Sequence, residues 1–405
     1  MQEKMNETNK FTFEPIKLAS INFANRIIRS ATHEGYANDA GRPDEKLADL
    51  YEKLAKGKVG AIITGFCAVE PGGKAIKNMM TIDRDEWIGD YKTIVSRVHK
   101  YNTPIIMQLV HAGRQSSEKI VGGKTVSPSA MKDKVYRVVP HALLNNEIEQ
   151  IIENFAQAVK RAKAAGFDGV QLHAAHGYLL SQFLSPYINR RNDEWGGSIE
   201  KRFRIMERIM EKSRQLVGDF PILVKMNAYD TRENGMRVDE AIEIARLLEK
   251  VGFDAIEVSC GIAEDGFNTV RVPEVPVPAI LEMFDEFRNQ PWPLKKIAGF
   301  FIPYFIETPK PLENYNVKAA ANIKKNVNIP VIAVGGIRKI SDIRQILMEK
   351  SADLVAMSRP FIIEPHIVKK FESGKSTESK CINCGYCLMG ILQEPLRCYY
   401  GKIKK

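Results

Sequence analysis

The stretch AAGFDGVQLH at residues 164–173 shows how this chain passes from helix to strand. A helix-forming segment ends there, Gly166 turns the chain, and an apolar strand begins almost at once. The same junction recurs as KVGFDAIEVS at residues 250–259, with Gly252 in the turning position. A repeated helix–glycine–strand junction is typical of α/β proteins whose parallel strands alternate with helices.

Eight apolar segments along the chain predict strands, most of them rich in Val, Ile and Leu with little alternation, as in strands buried on both faces. They cover residues 25–31, 60–65, 104–110, 169–174, 221–227, 255–260, 330–336 and 352–358. Helices are predicted over residues 44–57, 86–100, 147–165, 199–217, 238–251 and 340–350. Eight strands with intervening helices predict an α/β fold of the (β/α)8 TIM-barrel type. An open doubly wound sheet is the alternative, which is disfavoured because no G-x-G-x-x-G motif opens a helix.

The length of 405 residues leaves room for more than the barrel. We expect a barrel domain over residues 1–370 and a cysteine-rich tail over residues 371–405. Residues 261–329 separate the sixth and seventh strands and are rich in Pro and aromatic residues. So long a connection predicts an insertion that acts as a lid, a substrate-pocket wall or a subunit contact.

The composition is that of a globular protein, with 44% hydrophobic and 27% charged residues and a formal net charge of +10. The Lys and Arg residues are scattered, which disfavours nucleic acid as a partner and fits attraction of anionic cofactors and substrates. Residues 1–20 lack the apolar core of a signal peptide, and no apolar run is as long as the roughly 18 residues of a membrane span. We therefore expect a cytoplasmic protein with a small-molecule substrate and no membrane partner.

Two histidines and a tyrosine, His173, His176 and Tyr178, follow the fourth predicted strand. Active sites of barrels lie at the C-terminal ends of the strands. Histidine donors at this end can polarise a substrate oxygen, and the tyrosine can donate a proton as negative charge builds up. A purely structural role and a metal site are the alternatives, although no carboxylate accompanies the histidines as a further ligand.

A second pattern lies at the ends of the last two strands. Gly335 and Gly336 end the seventh strand, and Ser358 and Arg359 end the eighth. The loops after these strands often bind phosphate through backbone N–H groups in barrel proteins, and an arginine adds a bidentate donor. The pattern predicts a phosphate site.

Four of the six cysteines cluster near the C-terminus, as Cys381, Cys384, Cys387 and Cys398. The spacing C-x2-C-x2-C with a fourth cysteine suits a [4Fe-4S] cluster, and zinc is the other candidate.

The motifs QLVHAGRQ (108–115), HAAHGYLLSQFLSPYINRRNDEWGGSIEKRFR (173–204) and the pair VGGIR and SRPF resemble the Old Yellow Enzyme family of FMN-dependent NADH:flavin oxidoreductases. The resemblance runs from about residue 11 to residue 370. It implies FMN as cofactor, NADH or NADPH as donor, and a ping-pong reduction of the C=C bond of α,β-unsaturated carbonyl compounds. In this scheme reduced FMN delivers hydride to the β carbon.

The resemblance also implies roles for individual residues. His173 and His176 would bind the substrate carbonyl, and Tyr178 would protonate the α carbon. The residues that would contact the flavin ring are Ser30, Ala31, Thr32, His33, Phe66, Gln108 and Lys225. Gly335, Gly336, Ser358 and Arg359 would bind the phosphate. Lys225 stands where many members have arginine, which keeps the charge but loses the planar fork.

The cysteine tail resembles that of two larger relatives, 2,4-dienoyl-CoA reductase and trimethylamine dehydrogenase. This leaves two alternatives to an ene-reductase. One is an amine-oxidising or electron-transfer flavoprotein that uses a [4Fe-4S] cluster and a partner protein. The other is a flavin redox sensor.

Overall fold

The computed structural model describes residues 10–403, and its centre is a closed barrel of eight parallel strands. The strands are β1 Ile27–Arg29, β2 Ala61–Ile63, β3 Ile105–Val110, β4 Gly169–Ala174, β5 Ile222–Asn227, β6 Ile256–Ser259, β7 Val331–Val334 and β8 Leu354–Met357. Each strand pairs with its sequence neighbours, β8 pairs with β1, and the β2–β3 pairing completes the ring. Their residues are buried except for half-buried Val334, so the predicted TIM barrel is confirmed.

Eight helices surround the barrel. They are α1 Glu45–Lys56, α2 Ile88–His99, α3 Asn145–Ala164, α4 Ile199–Val217, α5 Val238–Lys250, α6 Val317–Lys324, α7 Ile340–Met348 and α8 Ile367–Glu372. Asp44 and Ser198 cap α1 and α4 with side-chain oxygens that accept backbone N–H bonds. All six predicted helices are present. Two of the eight were not predicted: α6, which lies inside the 261–329 connection, and the short α8.

A hairpin of two short strands, Ile16–Leu18 and Ile21–Phe23, closes the N-terminal end of the barrel. Its residues Leu18, Ile21 and Phe23 join the inward-facing apolar side chains of the strands in one buried cluster. Since that end is filled, the open end of the barrel is the one where the strands terminate, which is where barrel active sites lie.

The connections at the open end carry further short elements. The strands are Cys67–Ala68, Val126–Ser127 and His141–Ala142; the α-helices are Glu118–Val121, Leu179–Leu184, Val277–Met283, Asp285–Arg288, Trp292–Phe301, Arg359–Ile363 and Tyr386–Gly390; the 3-10 turns are Pro71–Gly73, Asp85–Trp87, Ala263–Asn268 and Ile302–Phe305. Within residues 10–403, no helix has both the length and the apolar content needed to cross a bilayer.

The insertion after β6 and the cysteine-rich tail pack against each other rather than only against the barrel. Ile280 of the insertion and Met389 of the tail belong to one apolar cluster, which is separate from the barrel core. Phe267, Tyr399 and Ile403 are buried in the same cluster. The two segments therefore form a single structure above the open end of the barrel.

Candidate active site

Two adjoining cavities occupy the open end of the barrel, with about 630 and 740 Å³ of empty space. All of the predicted catalytic and cofactor-binding residues border one or both of them. The first cavity is lined by Ser30, Ala31, His176, Lys225, Gly335, Gly336, Ser358 and Arg359, and the second by Ala31, Thr32, His33, Phe66, Gln108, His173, His176, Tyr178, Lys225, Ser358 and Arg359. The fold thus gathers side chains that are more than 300 residues apart in the chain.

The first cavity ends at the glycine pair after β7. Gly335 and Gly336 have φ of 135° and 74°, and a Cβ on Gly336 would overlap the carbonyl oxygen of Leu312. Only glycine fits this backbone without displacement. Arg359 lies across the same end, where its Nη1 donates to the carbonyl oxygens of Arg271 (2.8 Å) and Asn383 (3.2 Å).

The two histidines meet edge to face at one wall of the cavities, with 4.9 Å between their ring centroids. Nδ1 of His173 accepts from the backbone N–H of Ala175 at 3.3 Å, so its proton resides on Nε2. Burial lowers the pKa of His173 well below its usual value, with smaller contributions from His176 and Lys225. Burial, assisted by Lys225, lowers the pKa of His176 to about 3. Both rings are therefore neutral near pH 7.

His176 is held by contacts that sequence reasoning did not identify. Its backbone has a left-handed φ of 62°, which is unusual for a side chain other than glycine. Its backbone N–H donates to Oδ1 of Asn227 at 3.1 Å, and its Nε2 lies 2.7 Å from Oγ of Ser259. Asn227 and Ser259 are polar residues at the ends of the fifth and sixth strands. This was the available signal in the sequence, because the ends of parallel barrel strands lie together at one rim.

Three aromatic rings flank the second cavity. His33 stacks on Phe66 with 4.9 Å between centroids and 9° between planes. Tyr178 lies 4.9 Å from His173 and 5.6 Å from Phe66, by ring centroids. Burial raises the pKa of Tyr178, so its phenol keeps its proton. Burial lowers the pKa of His33 to about 3, and its Nε2 has no hydrogen-bond partner among residues 10–403.

A chain of buried polar side chains spans the barrel beneath the cavities. Gln108 donates to Gln171 at 2.7 Å, Gln171 donates to Glu257 at 2.7 Å, and Ser30 donates to Glu257 at 2.6 Å. Lys225 Nζ donates to Ser30 at 2.9 Å and lies 3.2 Å from Glu257. Strand register explains the chain, because Gln108 is paired with Gln171 and Lys225 with Glu257. The sequence analysis did not identify Gln171 or Glu257. The available signal was Glu257, because a carboxylate within the apolar strand IEVS needs a buried partner.

Glu257 keeps a cation beside the cavities. Burial is the main influence on Lys225 and lowers its pKa, while the charge and hydrogen bond of Glu257 act in the opposite direction. The side chains are 4% and 0% exposed. The barrel therefore contains a buried ion pair whose ammonium group borders both cavities.

The four tail cysteines border one small cavity of about 350 Å³, together with Arg359. All four are free thiols, and Cys387 also lines the second cavity at the barrel mouth. Burial raises the pKa of Cys387 to about 12, and Arg359 opposes this rise. Among the residues that the structure describes, no three His, Cys, Asp or Glu side chains are already grouped as a metal site.

Two residues of the QLVHAGRQ motif, His111 and Arg114, have structural partners. Nε2 of His111 lies 2.8 Å from Oε1 of Glu70. Arg114 is buried and donates to Glu264 of the insertion at 2.9 Å, with Asp133 at 3.5 Å. Arg114 therefore anchors the start of the insertion to the barrel.

An apolar chamber lies beyond His176 and Tyr178, with about 1510 Å³ of empty space. Its walls come from three places: the loop that holds Val135, the insertion after β6, and the tail helix Tyr386–Gly390 with its flanks. The lining residues from the insertion and tail are Ala263, Gly266, Phe267, Thr269, Val270, Ile280, Phe284, Phe287, Ile302, Ile306, Leu388, Met389 and Leu392. Of the predicted catalytic residues, His176 and Tyr178 border the chamber.

The family described as NADH:flavin oxidoreductase / NADH oxidase matches residues 12–267 and 301–378. The chain belongs to this family. The description of the family names an NADH-dependent oxidoreductase activity that involves a flavin. The match is interrupted over residues 268–300, which fall within the insertion, and it ends at residue 378, before the four tail cysteines.

Comparison with individual family members gives the same result. The NADH oxidase of Thermoanaerobacter brockii is 34% identical over 390 residues, which cover 95% of this chain and 54% of that protein. The chain thus spans about half the length of that relative. The NADPH dehydrogenase of Geobacillus sp. (strain WCH70) is 30% identical over 358 residues, 87% of this chain and 91% of that protein.

The fold agrees with that of a solved structure. The structure of the Old Yellow Enzyme homologue from Zymomonas mobilis superposes with a TM-score of 0.73 at 24% identity, and the match covers 95% of this chain and 99% of that one. At this identity the likeness concerns the architecture, so the roles of individual residues depend on the geometry described above.

Proposed function

We propose that this chain reduces the C=C bond of α,β-unsaturated carbonyl compounds. The observation that carries the proposal is the neutral pair His173 and His176, which stands with the protonated Tyr178 at one wall of the second cavity. Two neutral imidazoles can donate hydrogen bonds to a carbonyl oxygen without leaving a charge in an apolar site. The tyrosine lies on the same wall as a source of a proton.

The cavities fit FMN by the chemistry of their donors. The first cavity, with Arg359 and the backbone of Gly335 and Gly336, would hold the phosphate. The second cavity would hold the ring, with Lys225 as a cation for its anionic reduced form. The orphaned Nε2 of His33 is a buried polar atom at this cavity that a cofactor could satisfy. FMN, when bound, supplies hydride transfer.

The chain's own residues would then position the substrate and supply the proton. The Nε2–H of His173 and the ring of His176 would hold the carbonyl oxygen, which draws electron density from the double bond. Asn227 and Ser259 keep His176 in place. As hydride adds to the β carbon, the O–H bond of Tyr178 would break and its proton would pass to the α carbon.

The decisive experiment replaces both histidines, as His173→Ala with His176→Ala. We expect FMN content to stay near that of the wild type, while phenol, which mimics the enolate oxygen, loses binding by about 100-fold or more. Binding is followed by the charge-transfer absorbance of phenol with the flavin. Replacement of the exposed His366 by Ala is the control. Unchanged phenol affinity in the double variant would show that His173 and His176 do not bind the substrate oxygen.

A second candidate function, single-electron exchange through an iron–sulfur cluster, is favoured by one observation. The four cysteines border a single cavity, and Cys387 reaches the second cavity as well. The thiols present the ligand type that a [4Fe-4S] cluster needs, and Arg359 would offset part of the thiolate charge. Zinc would use the same four ligands.

Metal analysis of anaerobically purified protein tests the cluster. We expect about four iron and four sulfide per chain, lost in Cys387→Ser and kept in Cys260→Ser. Zinc without sulfide would assign the site to zinc. Turnover of 2-cyclohexenone with NAD(P)H separates the ene-reductase from the amine-oxidising and sensor alternatives, because neither of these requires it.

A further inference from the structure

The apolar chamber adjoins the second cavity of the candidate active site along one side. The residues that line both spaces are His176, Tyr178, Thr269, Val270 and Leu388. His173 lines the second cavity but not the chamber. The chamber therefore meets the active site beside His176 and Tyr178.

The position of this junction indicates which part of a bound enone faces the chamber. In the proposed function, on which this inference rests, His176 holds the carbonyl oxygen and Tyr178 delivers a proton to the α carbon. The β carbon accepts hydride, so it would lie on the side of the second cavity. A substituent on the α carbon or on the carbonyl carbon would therefore extend toward the chamber, and a substituent on the β carbon would not.

The wall of the chamber is apolar and includes three phenylalanine rings, those of Phe267, Phe284 and Phe287. Among its few polar lining side chains, Gln115 is already engaged, because its Nε2 donates to the backbone carbonyl oxygen of His176 at 2.8 Å. No Asp, Glu, Lys or Arg in the described part of the chain borders the chamber. A wall of this kind favours a hydrocarbon group over a charged one, whose desolvation would not be compensated.

We propose that the chamber binds the apolar part of the substrate, and that this chain reduces neutral enones with a large hydrocarbon group on the α carbon or the carbonyl carbon. The chamber has about 1510 Å³ of empty space, which exceeds the roughly 300–1,000 Å³ of ordinary ligand pockets. A hydrocarbon group that leaves water for this wall gains affinity through burial of apolar surface.

Phosphate-bearing molecules are the competing occupants of the chamber, namely NAD(P)H and a thioester of coenzyme A. Arg and Lys side chains are the common partners of phosphate in proteins. Lys134 and Arg137 lie in the same loop as Val135, but neither of them borders the chamber. Lys225 and Arg359 border the first and second cavities and not the chamber. The cations of the site thus face the proposed cofactor position, and the chamber wall offers no partner to a phosphate.

Two isomeric series of enones test the proposal with the FMN-loaded full chain. The 2-alkyl-2-cyclohexenones, from methyl to hexyl, carry the alkyl chain on the α carbon, and the 3-alkyl isomers carry it on the β carbon. We expect the dissociation constant to fall about fourfold for each added methylene in the 2-alkyl series, and to stay nearly constant in the 3-alkyl series. Matched isomers are equally apolar, so nonspecific binding would affect both series alike. The change in absorbance of the oxidised flavin measures binding without turnover.

Charged substitutions at the rim of the chamber test the chemistry of the occupant. Val135 and Leu392 are 52% and 48% exposed, so a charged side chain can replace each of them without being buried. We expect Val135→Lys with Leu392→Lys, and Val135→Glu with Leu392→Glu, to weaken binding of 2-hexyl-2-cyclohexenone alike, by roughly tenfold. The control variants place the same charges at the exposed Val139 and Met348, outside the chamber, and should bind like the wild type.

Two results would overturn the proposal. One is an equal slope in the two alkyl series, or a steeper slope in the 3-alkyl series. The other is tighter binding of NAD(P)H or of a coenzyme A thioester by the Lys pair and weaker binding by the Glu pair, relative to the control variants, because this pattern indicates an anionic occupant. Turnover of 2-cyclohexenone is measured in parallel. Its absence would contradict the proposed function, whereas the alkyl series measure binding and report on the chamber in either case.

Discussion

Burial sets the charge of His33, and this makes its contribution to stability depend on pH. Its pKa falls from 6.5 to about 3 on folding, because the ring is desolvated. The unfolded chain therefore binds a proton in this window that the folded chain does not, and stability decreases as the pH falls from 6.5 toward 3. We expect His33→Leu to reduce the pH slope of the unfolding free energy by up to about 1.4 kcal/mol per pH unit.

Urea unfolding of the flavin-free chain at several pH values between 4 and 6 measures this slope. The variant His366→Leu, at an exposed position, is the control and should keep the slope of the wild type. An unchanged slope in His33→Leu would mean that His33 is protonated in the folded chain.

Glu257 stabilises the charged form of the buried Lys225 side chain. Removal of one partner of a buried ion pair leaves an uncompensated charge, which costs about 3 kcal/mol or more. We expect Glu257→Gln to lower the free energy of unfolding at pH 7 by about this amount. The loss should shrink as the pH rises, because burial lowers the pKa of Lys225 below its usual 10.5 and the folded wild type then loses the ion pair as well. Chemical denaturation at pH 7 and pH 10 measures it.

The control is Glu194→Gln, which breaks the exposed pair with Arg204 (3.3 Å). Surface pairs of this kind contribute little to stability, so only a small change is expected. Equal destabilisation by the two variants would show that Lys225 does not depend on Glu257.

The turn after β7 requires glycine at one position, Gly336. Gly336 combines a φ of 74° with no room for a Cβ beside Leu312, whereas Gly374 has a φ of 69° and open space around it. Gly374→Ala should therefore cost about 1 kcal/mol for the left-handed backbone alone. Gly336→Ala should cost more and should also displace the proposed phosphate site, which would weaken FMN binding. Thermal unfolding and the fraction of bound flavin measure the two effects.

If Gly336→Ala loses stability but keeps its flavin affinity, the turn does not contribute to FMN binding. Equal effects of the two substitutions would contradict the steric argument.

The elements that the sequence predicted well are those with a local signal. Each strand lies within its predicted range because buried Val, Ile and Leu runs are bounded by turns. Helix α6 was missed because its sequence, VKAAANIK, is short and follows a Pro-rich stretch that indicated an insertion. Glu257 and Ser259 were missed because their partners are Lys225 and His176, on other strands, and only the barrel register brings them together.

The walls of the apolar chamber come from several distant segments of the chain. The barrel supplies His176 and Tyr178, and the insertion and tail supply most of the wall through the cluster that joins Ile280 to Met389. No sequence pattern predicts this, because the two segments are about 100 residues apart and neither encloses a cavity alone. The size of the chamber predicts that shape complementarity to large substrates is decided here, away from the reacting atoms.

Narrowing the chamber from its rim should therefore change specificity without changing the chemistry. Val135 and Leu392 line the chamber yet are 52% and 48% exposed, so tryptophan can replace them without overpacking the core. We expect Val135→Trp with Leu392→Trp to raise KM for a polycyclic enone roughly tenfold while KM for 2-cyclohexenone stays nearly constant. Steady-state kinetics with both substrates measure this, with Val139→Trp and Met348→Trp as the exposed control pair. A small enone needs only the space beside His173 and Tyr178, so its KM should not respond to a narrower chamber. An equal rise in KM for both substrates would therefore contradict this role of the chamber.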